Sequence, residues 1–271
     1  MDNHRFLINI FLNATLMFII SYLLLATNNQ LLTIFISHDF DIETTWFSSH
    51  VHFFPPLNIM YLNRDAIVSV VMAAPIVSLF IGMGVQFIYL SHTVNRIWLS
   101  LLLLWLIIHA YNFFFGAIGH SFIPGTPLAA AENAFQLHLE TKLIITIAVI
   151  FILFKIGNYI GYAILTKSAF YPTSDTKNRL MYMMATLIGP WITGSIILAT
   201  ALKMTTVSQL LPFMTIGFLI IPAFTRAFGS PPQNIPKQQL SNKFCIIAFI
   251  FILIFITVLR MITRNGLNLY L

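Results

Sequence analysis

The residues best suited to chemistry are polar side chains set inside long apolar runs. The richest run is Trp105-Leu-Ile-Ile-His109-Ala-Tyr-Asn112-Phe-Phe-Phe-Gly116-Ala-Ile-Gly119-His120. On a helix, His109, Asn112, Gly116, Gly119 and His120 fall near one face, because eleven residues are close to three turns. That stripe suits a metal or proton site. It equally suits a packing face, with the glycines admitting a neighbour and the polar groups bonding across helices. On a continuous helix His109 and His120 lie about 16 Å apart, so one metal cannot take both. They meet only if the backbone breaks near Gly116.

The stretch from Pro124 to Lys142 follows. Thr126 is a good N-cap and Pro127 suits the first helical position. The segment reads as a helix leading toward the next apolar run, with Glu132, Gln136 and Glu140 on one face and His138 and Lys142 on another. It is expected to lie in the interface or to turn back into the protein. A turn back would let His120 face Glu132 or Asn133 across a covered pocket. His109, His120, Glu132, His138 and Glu140 are therefore the metal or catalytic candidates. No cofactor follows from them.

Lys155 sits near the middle of another apolar run, with Asn158, Tyr159 and Tyr162 following at helical spacing. A charge at that depth needs a carboxylate, a carbonyl or water, unless the helix shifts to bring Lys155 to the interface. Asn112, Lys155 and Asn158 are thus expected as buried polar groups. Glu132 and Glu140 are the carboxylates in view. Gly157 and Gly161 form a GxxxG pair that suits close helix contact. Pro75, Pro190, Pro212 and Pro222 interrupt apolar runs, as in kinked helices that line transport cavities or as in ordinary membrane helices. His50-x-His52 and Asp39-x-Asp41-x-Glu43 fall short of zinc and calcium ligand sets and read as solvated loop.

The elements that position these groups are membrane spans. Of 271 residues, 58% are hydrophobic and 8% charged. Soluble domains carry roughly 25% charged residues. Lipid makes this composition sensible. Seven runs are long enough to cross a bilayer, at approximately 6–27, 66–91, 97–115, 143–165, 180–202, 209–228 and 244–262. Leu31–Ile36 extends the first or lies in the interface. The fold expected is an all-α bundle of seven helices, several kinked at proline, in one polytopic domain without internal repeats. The N-terminal run is too long for a signal peptide and lacks a clear cleavage motif, so it reads as an uncleaved first helix.

The net charge of +6 comes from basic residues dispersed beside apolar runs. That pattern fits orientation anchors and argues against a nucleic-acid surface. With the N-terminus inside, Arg5, Arg96, Lys167, Lys177, Arg179, Arg226, Lys237 and Lys243 collect on the cytoplasmic side. Arg64, Lys142, Lys203, Arg260 and Arg264 collect opposite. The home expected is a plasma (inner) membrane, with the lipid bilayer as partner. The single cysteine, Cys245, allows no intrachain disulfide.

The stretch Met72-Ala-Ala-Pro75-Ile-Val-Ser-Leu-Phe-Ile-Gly82 resembles the Ala-Gly-Pro helix of site-2-protease-like membrane proteins. No HExxH accompanies it, so the resemblance implies a degenerate, non-peptidase relative. Walker A and GxSxG motifs are also missing. Three functional readings stand: a multi-pass membrane protein without an enzymatic motif, a small transporter or ion- or proton-conducting protein, and a membrane-embedded, metal-dependent or peptidase-like enzyme. The transporter reading uses Lys155 and the His109/Asn112 stripe.

Overall fold

The computed structural model describes residues 3–54, 63–91, 96–124, 126–167, 175–229, 246–263 and 266–268. Arg264, the prolines at 231, 232 and 236, and Lys237, Lys243 and Cys245 lie outside the described residues.

In chain order the elements are α1 (Asn3–His38), β1 (Glu43–Trp46), β2 (Val51–Phe54), α2 (Arg64–Ser91), α3 (Ile97–Tyr111) and α4 (Ala117–Gly119). Then come α5 (Pro127–Ala134), α6 (Leu139–Lys167), α7 (Thr176–Met183), α8 (Gly189–Ala201), α9 (Val207–Thr215), α10 (Gly217–Thr225), α11 (Ile246–Thr263) and β3 (Leu267–Asn268). A π-helical turn, Asn112–Gly116, fuses α3 to α4, and a second, Met184–Ile188, fuses α7 to α8.

Among the described residues seven helices are long and apolar enough to cross a membrane, so the chain is a helical membrane bundle. The spans are His4–His38, Arg64–Ser91, Ile97–Gly119, Leu139–Thr166, Thr176–Ala201, Val207–Phe228 and Ile246–Thr263. The first is the most buried and the last the least. At 36 residues α1 measures about 54 Å, against a hydrocarbon core of about 30 Å. Leu31–Ile36 belongs to this helix, which is longer than the hydrocarbon core is thick.

Beyond the end of α1, β1 pairs antiparallel with both β2 and β3, giving the order β2-β1-β3. Trp46 on β1 donates from its indole to Gln30 Oε1 at 2.8 Å, tying this small sheet to α1. The ends of the spans therefore define two faces. The hairpin face carries Asp39, Asp41, Glu43, Asp65, Glu132 and Glu140, with Arg64, Lys142, Lys203 and Arg260. The opposite, basic face carries Arg5, Arg96, Lys177, Arg179 and Arg226 against Asp175.

Arg179 is more than an orientation anchor. It is buried, and its guanidinium donates to the Ala227 and Gly229 carbonyls, each at 2.9 Å, clamping the start of the fifth span to the end of the sixth.

Small residues set the helix contacts. A Cβ on Gly157 would stand 2.7 Å from Pro222, and one on Gly161 would stand 2.8 Å from the Ala223 Cα. The GxxxG face of α6 thus presses directly on the backbone of α10. On α1, Phe18 fills the notch at Gly194 and packs edge-to-face on Trp105 at 4.8 Å. Trp105 and Phe18 are among the largest fully buried side chains of the core.

The segment after the third span differs in shape from the sequence expectation. α5 stops at Ala134. Gln136 takes φ 53°, Leu137 N bonds Glu132 O, and Gln136 N bonds Asn133 O. These are the paired bonds of a Schellman closure, here with Gln in the left-handed position that glycine usually takes. Glu132, Gln136 and Glu140 therefore share no helical face. Thr126 precedes the helix as expected, but its hydroxyl donates to the Ile123 carbonyl at 3.0 Å instead of capping. α5 packs Leu128 and Ala131 against Ala66, Ile67, Val70 and Val71 of α2.

Candidate functional site

The third span is continuous. Its irregularity is the π turn at Asn112–Gly116, not a chain reversal. Such turns are rare and concentrate at functional sites. The sixth span is one helix whose hydrogen-bond ladder is disturbed at Ile216, between α9 and α10, near the middle of its length, while Ile216 keeps helical dihedrals. Pro212 lacks an N–H and the neighbouring hydrogen bonds are disturbed, so carbonyls there need other donors at membrane depth.

Side chains supply them. Asn112 Nδ2 donates to the Pro212 carbonyl at 2.7 Å. Trp191 Nε1, on α8, donates to the Phe213 carbonyl at 2.7 Å. Thr215 Oγ1 donates to the Leu211 and Pro212 carbonyls, each at 3.2 Å. Three spans thus converge on one disturbed turn. Gly116 makes the approach possible, since a Cβ there would collide with the Asn112 amide and stand 2.8 Å from Thr215 Oγ1.

Above this turn, toward the hairpin face, lies a cavity of about 450 Å³. That is within the usual range for small-molecule sites, about 300–1,000 Å³. Tyr22, Phe113 and Pro212 form its deep end. Val70, Val71, Ala74 and Pro75 of α2 form one apolar wall, and Pro127 and Leu128 of α5 continue it. Polar groups converge from the other elements: Asn29, Gln30 and Thr33 of α1, Ser49 and His50 of the hairpin, His120 below α4, and Thr206, Ser208 and Gln209 at the start of the sixth span. Among the described residues no Asp, Glu, Lys or Arg lines it.

Hydrogen bonds fix several of these groups in place. Ser78 on α2 donates to Asn29 Oδ1 at 2.8 Å. Gln209 completes a capping box with Thr206, and its amide nitrogen lies 3.2 Å from His50 Nδ1. His50 stacks on Phe47 with ring centroids 5.0 Å apart. Burial, with the neighbouring His52, lowers the His50 pKa. Burial takes His120 further, to about 4, and its Nδ1 has no hydrogen-bond partner among the described residues. Both imidazoles are therefore neutral near pH 7 and supply polarity without charge.

His109 lies behind the deep end, fully enclosed. Its Nε2 is 3.2 Å from the Phe18 carbonyl, and Phe18, Tyr22, Trp105 and Phe113 surround the ring. Its Nδ1 is buried without a hydrogen-bond partner among the described residues.

The other candidates lie elsewhere. Glu132 is buried beneath α5, where it accepts a hydrogen bond from Ser121 and sits 3.6 Å from Lys142 Nζ. Lys142 donates to Asn133 at 2.8 Å. His138 and Glu140 are exposed at the start of α6. Lys155 lies on the outward surface of α6, 5.1 Å from the Phe151 ring centroid, and Asn158 beside it bonds the Phe154 carbonyl. His109, His120 and Glu132 thus occupy three separate environments. Among the described residues no group of three or more His, Cys, Asp and Glu is placed to hold a metal ion. The cavity pair His50 and His120 alone is short of a zinc ligand set.

Sequence reasoning missed Asn29, Gln30 and Gln209 as cavity groups and Trp191 as a carbonyl donor. The available signal was the amide run Asn28-Asn29-Gln30 inside an apolar stretch that continues to Ile36. Comparisons with protein-family models, with curated proteins and with solved structures give no match.

Proposed function

We propose that this protein is a small-solute transporter of the membrane, with its binding cavity on the hairpin side. The solute class is a small, uncharged molecule rich in hydrogen-bonding groups and carrying an apolar face. The observation behind this reading is the uncharged cavity that ends on the disturbed turn of the sixth span. Helices with a disturbed ladder at membrane depth can help build substrate sites where protein or water covers the freed backbone groups. Amides and hydroxyls on one side suit a neutral polar solute, whereas an ion would demand charged or carbonyl-rich coordination. The closed packing around His109 would then be the barrier toward the basic face.

Orientation is part of the proposal. The basic face is cytoplasmic, following the Lys/Arg bias of membrane loops, and the hairpin faces the exterior of a plasma membrane. The transporter reading rests on the cavity and the His109/Asn112 stripe. Lys155 has no part in it.

Uptake into proteoliposomes, measured for a panel of neutral polyols, amides and heterocycles beside inorganic ions, tests it. At least one neutral solute should show saturable uptake and stabilise the detergent-solubilised protein. Gln209→Leu should weaken both effects. Absence of uptake and of stabilisation across the neutral panel, or flux of ions alone, would contradict it.

A further inference from the structure

The fourth span carries a polar stripe on the side facing away from the bundle. α6 buries Leu153, Gly157, Ile160 and Ile164 against its neighbours. Lys155, Asn158 and Tyr162 follow at i, i+3 and i+7, and so share the opposite side, while Tyr159 lines a crevice with Gln86, Tyr89, Leu104 and Ile107. Tyr159 and Tyr162 are exposed, as are Lys155 and Phe151. In a bilayer this stripe meets hydrocarbon unless something covers it.

Depth makes the cover specific. Lys155 lies 12 residues from one end of α6 and 16 from the other, or about 18 and 24 Å along the axis. A lysine stem is much shorter than either distance, so snorkelling leaves the ammonium below the lipid phosphates. The Phe151 ring offers one weak cation–π contact and no negative charge.

Among the described residues no carboxylate is at hand. Glu140 is 15 residues back along α6, about 22 Å away. Glu132 is held by Ser121 and Lys142. Asp39, Asp41, Glu43, Asp65 and Asp175 lie in connections or at span ends. Asp2, the remaining acid, precedes the first span in sequence. A second copy would bring the same set at the same depths, so it cannot neutralise Lys155 either.

We propose that the outer face of the fourth span docks a transmembrane helix of another protein that carries a carboxylate near mid-bilayer. Charge complementarity at matched depth is what fits this occupant and no lipid headgroup. Asn158 and Tyr162 supply neutral polar groups that add hydrogen bonds along the same helix face. The proposal is independent of the transport reading.

The test uses full-length protein in nanodiscs of zwitterionic lipid. Its partner is a fluorescent synthetic Leu-rich transmembrane helix with one central Glu, compared with a twin carrying Gln. The Glu helix should bind the wild type at least about tenfold more tightly than the Gln helix. Lys155→Leu should erase that difference, and Lys155→Arg should retain it. Lys155 is exposed, so neither change disturbs the packed core, and thermal unfolding verifies that. Equal binding of the two helices would overturn the proposal, as would discrimination that survives Lys155→Leu. Lys155-dependent retention of anionic lipid in place of helix binding, or self-association of the chain as the only Lys155-dependent contact, would overturn it as well.

Discussion

Asn112 and Pro212, one hundred positions apart in sequence, are joined by a 2.7 Å hydrogen bond from the Asn112 amide to the Pro212 carbonyl. The bond fastens the π turn of the third span to the turn just ahead of the disturbed ladder in the sixth. Replacing Asn112 by Leu removes this donor and leaves the Pro212 carbonyl with the longer Thr215 bond alone. The expected cost is about 1–3 kcal/mol, since a buried polar group loses its main partner. Thermal unfolding in detergent measures it. Gly116→Ala should be similarly harmful, because the added Cβ presses on Asn112 and Thr215. Solute uptake should fall more in Asn112→Leu than in a surface variant of equal stability.

The state of His120 sets a pH dependence. Its folded-state pKa is about 4, against an ordinary imidazole value of 6.5, because burial disfavours the cation. Between these values the unfolded chain binds a proton that the folded chain does not. Stability from this group therefore rises with pH from about 4 to 6.5 and is level above that. His50, whose pKa is also lowered, adds a slope of the same sign. Unfolding temperatures collected from pH 4 to pH 8 should show the rise, and His120→Gln should flatten it. A variant with the unchanged slope would remove His120 as its source.

Glu132 holds the segment after the third span to α6. Glu132→Leu leaves Ser121 with the Ile118 carbonyl alone as acceptor and deprives Lys142 of its nearby anion, and should destabilise by about 1 kcal/mol. Glu132→Gln keeps an acceptor for Ser121 and should cost less. Neither change should alter solute binding, because Glu132 does not line the cavity. Thermal unfolding read beside a binding titration separates the two effects.

The spans were legible because each needs about twenty apolar residues, and that length is written directly in the chain. The GxxxG contact was legible for a related reason, since small residues four apart offer a flat helix face. The stripe from His109 to Gly116 was visible by periodicity, but its destination was not. Nothing local to Asn112 encodes that its acceptor is the Pro212 carbonyl, left without the Ile216 N–H at the α9–α10 junction. The cavity was illegible on similar grounds. Asn29, His50, His120 and Gln209 come from four separate stretches, each unremarkable alone. Lys155 shows the opposite limit. Its depth was readable, yet the direction it faces depends on which side of α6 packs against α10, and Gly157 and Gly161 decide that.

The central claim is that the cavity is reached from the hairpin face and closed toward the basic face. Single cysteines at Ala74, Thr33 and Gln209, introduced into a Cys245→Ser background, test it with a membrane-impermeant thiol reagent applied to each side of oriented proteoliposomes. Ala74 and Gln209 line the cavity together with Thr33, whereas Phe18 lies in the packed layer behind it. Reaction at the three cavity positions from the hairpin side alone, with none at a Phe18→Cys control from either side, is the expected result. Reaction from the basic face, or protection of all three cavity positions on both sides, would contradict it.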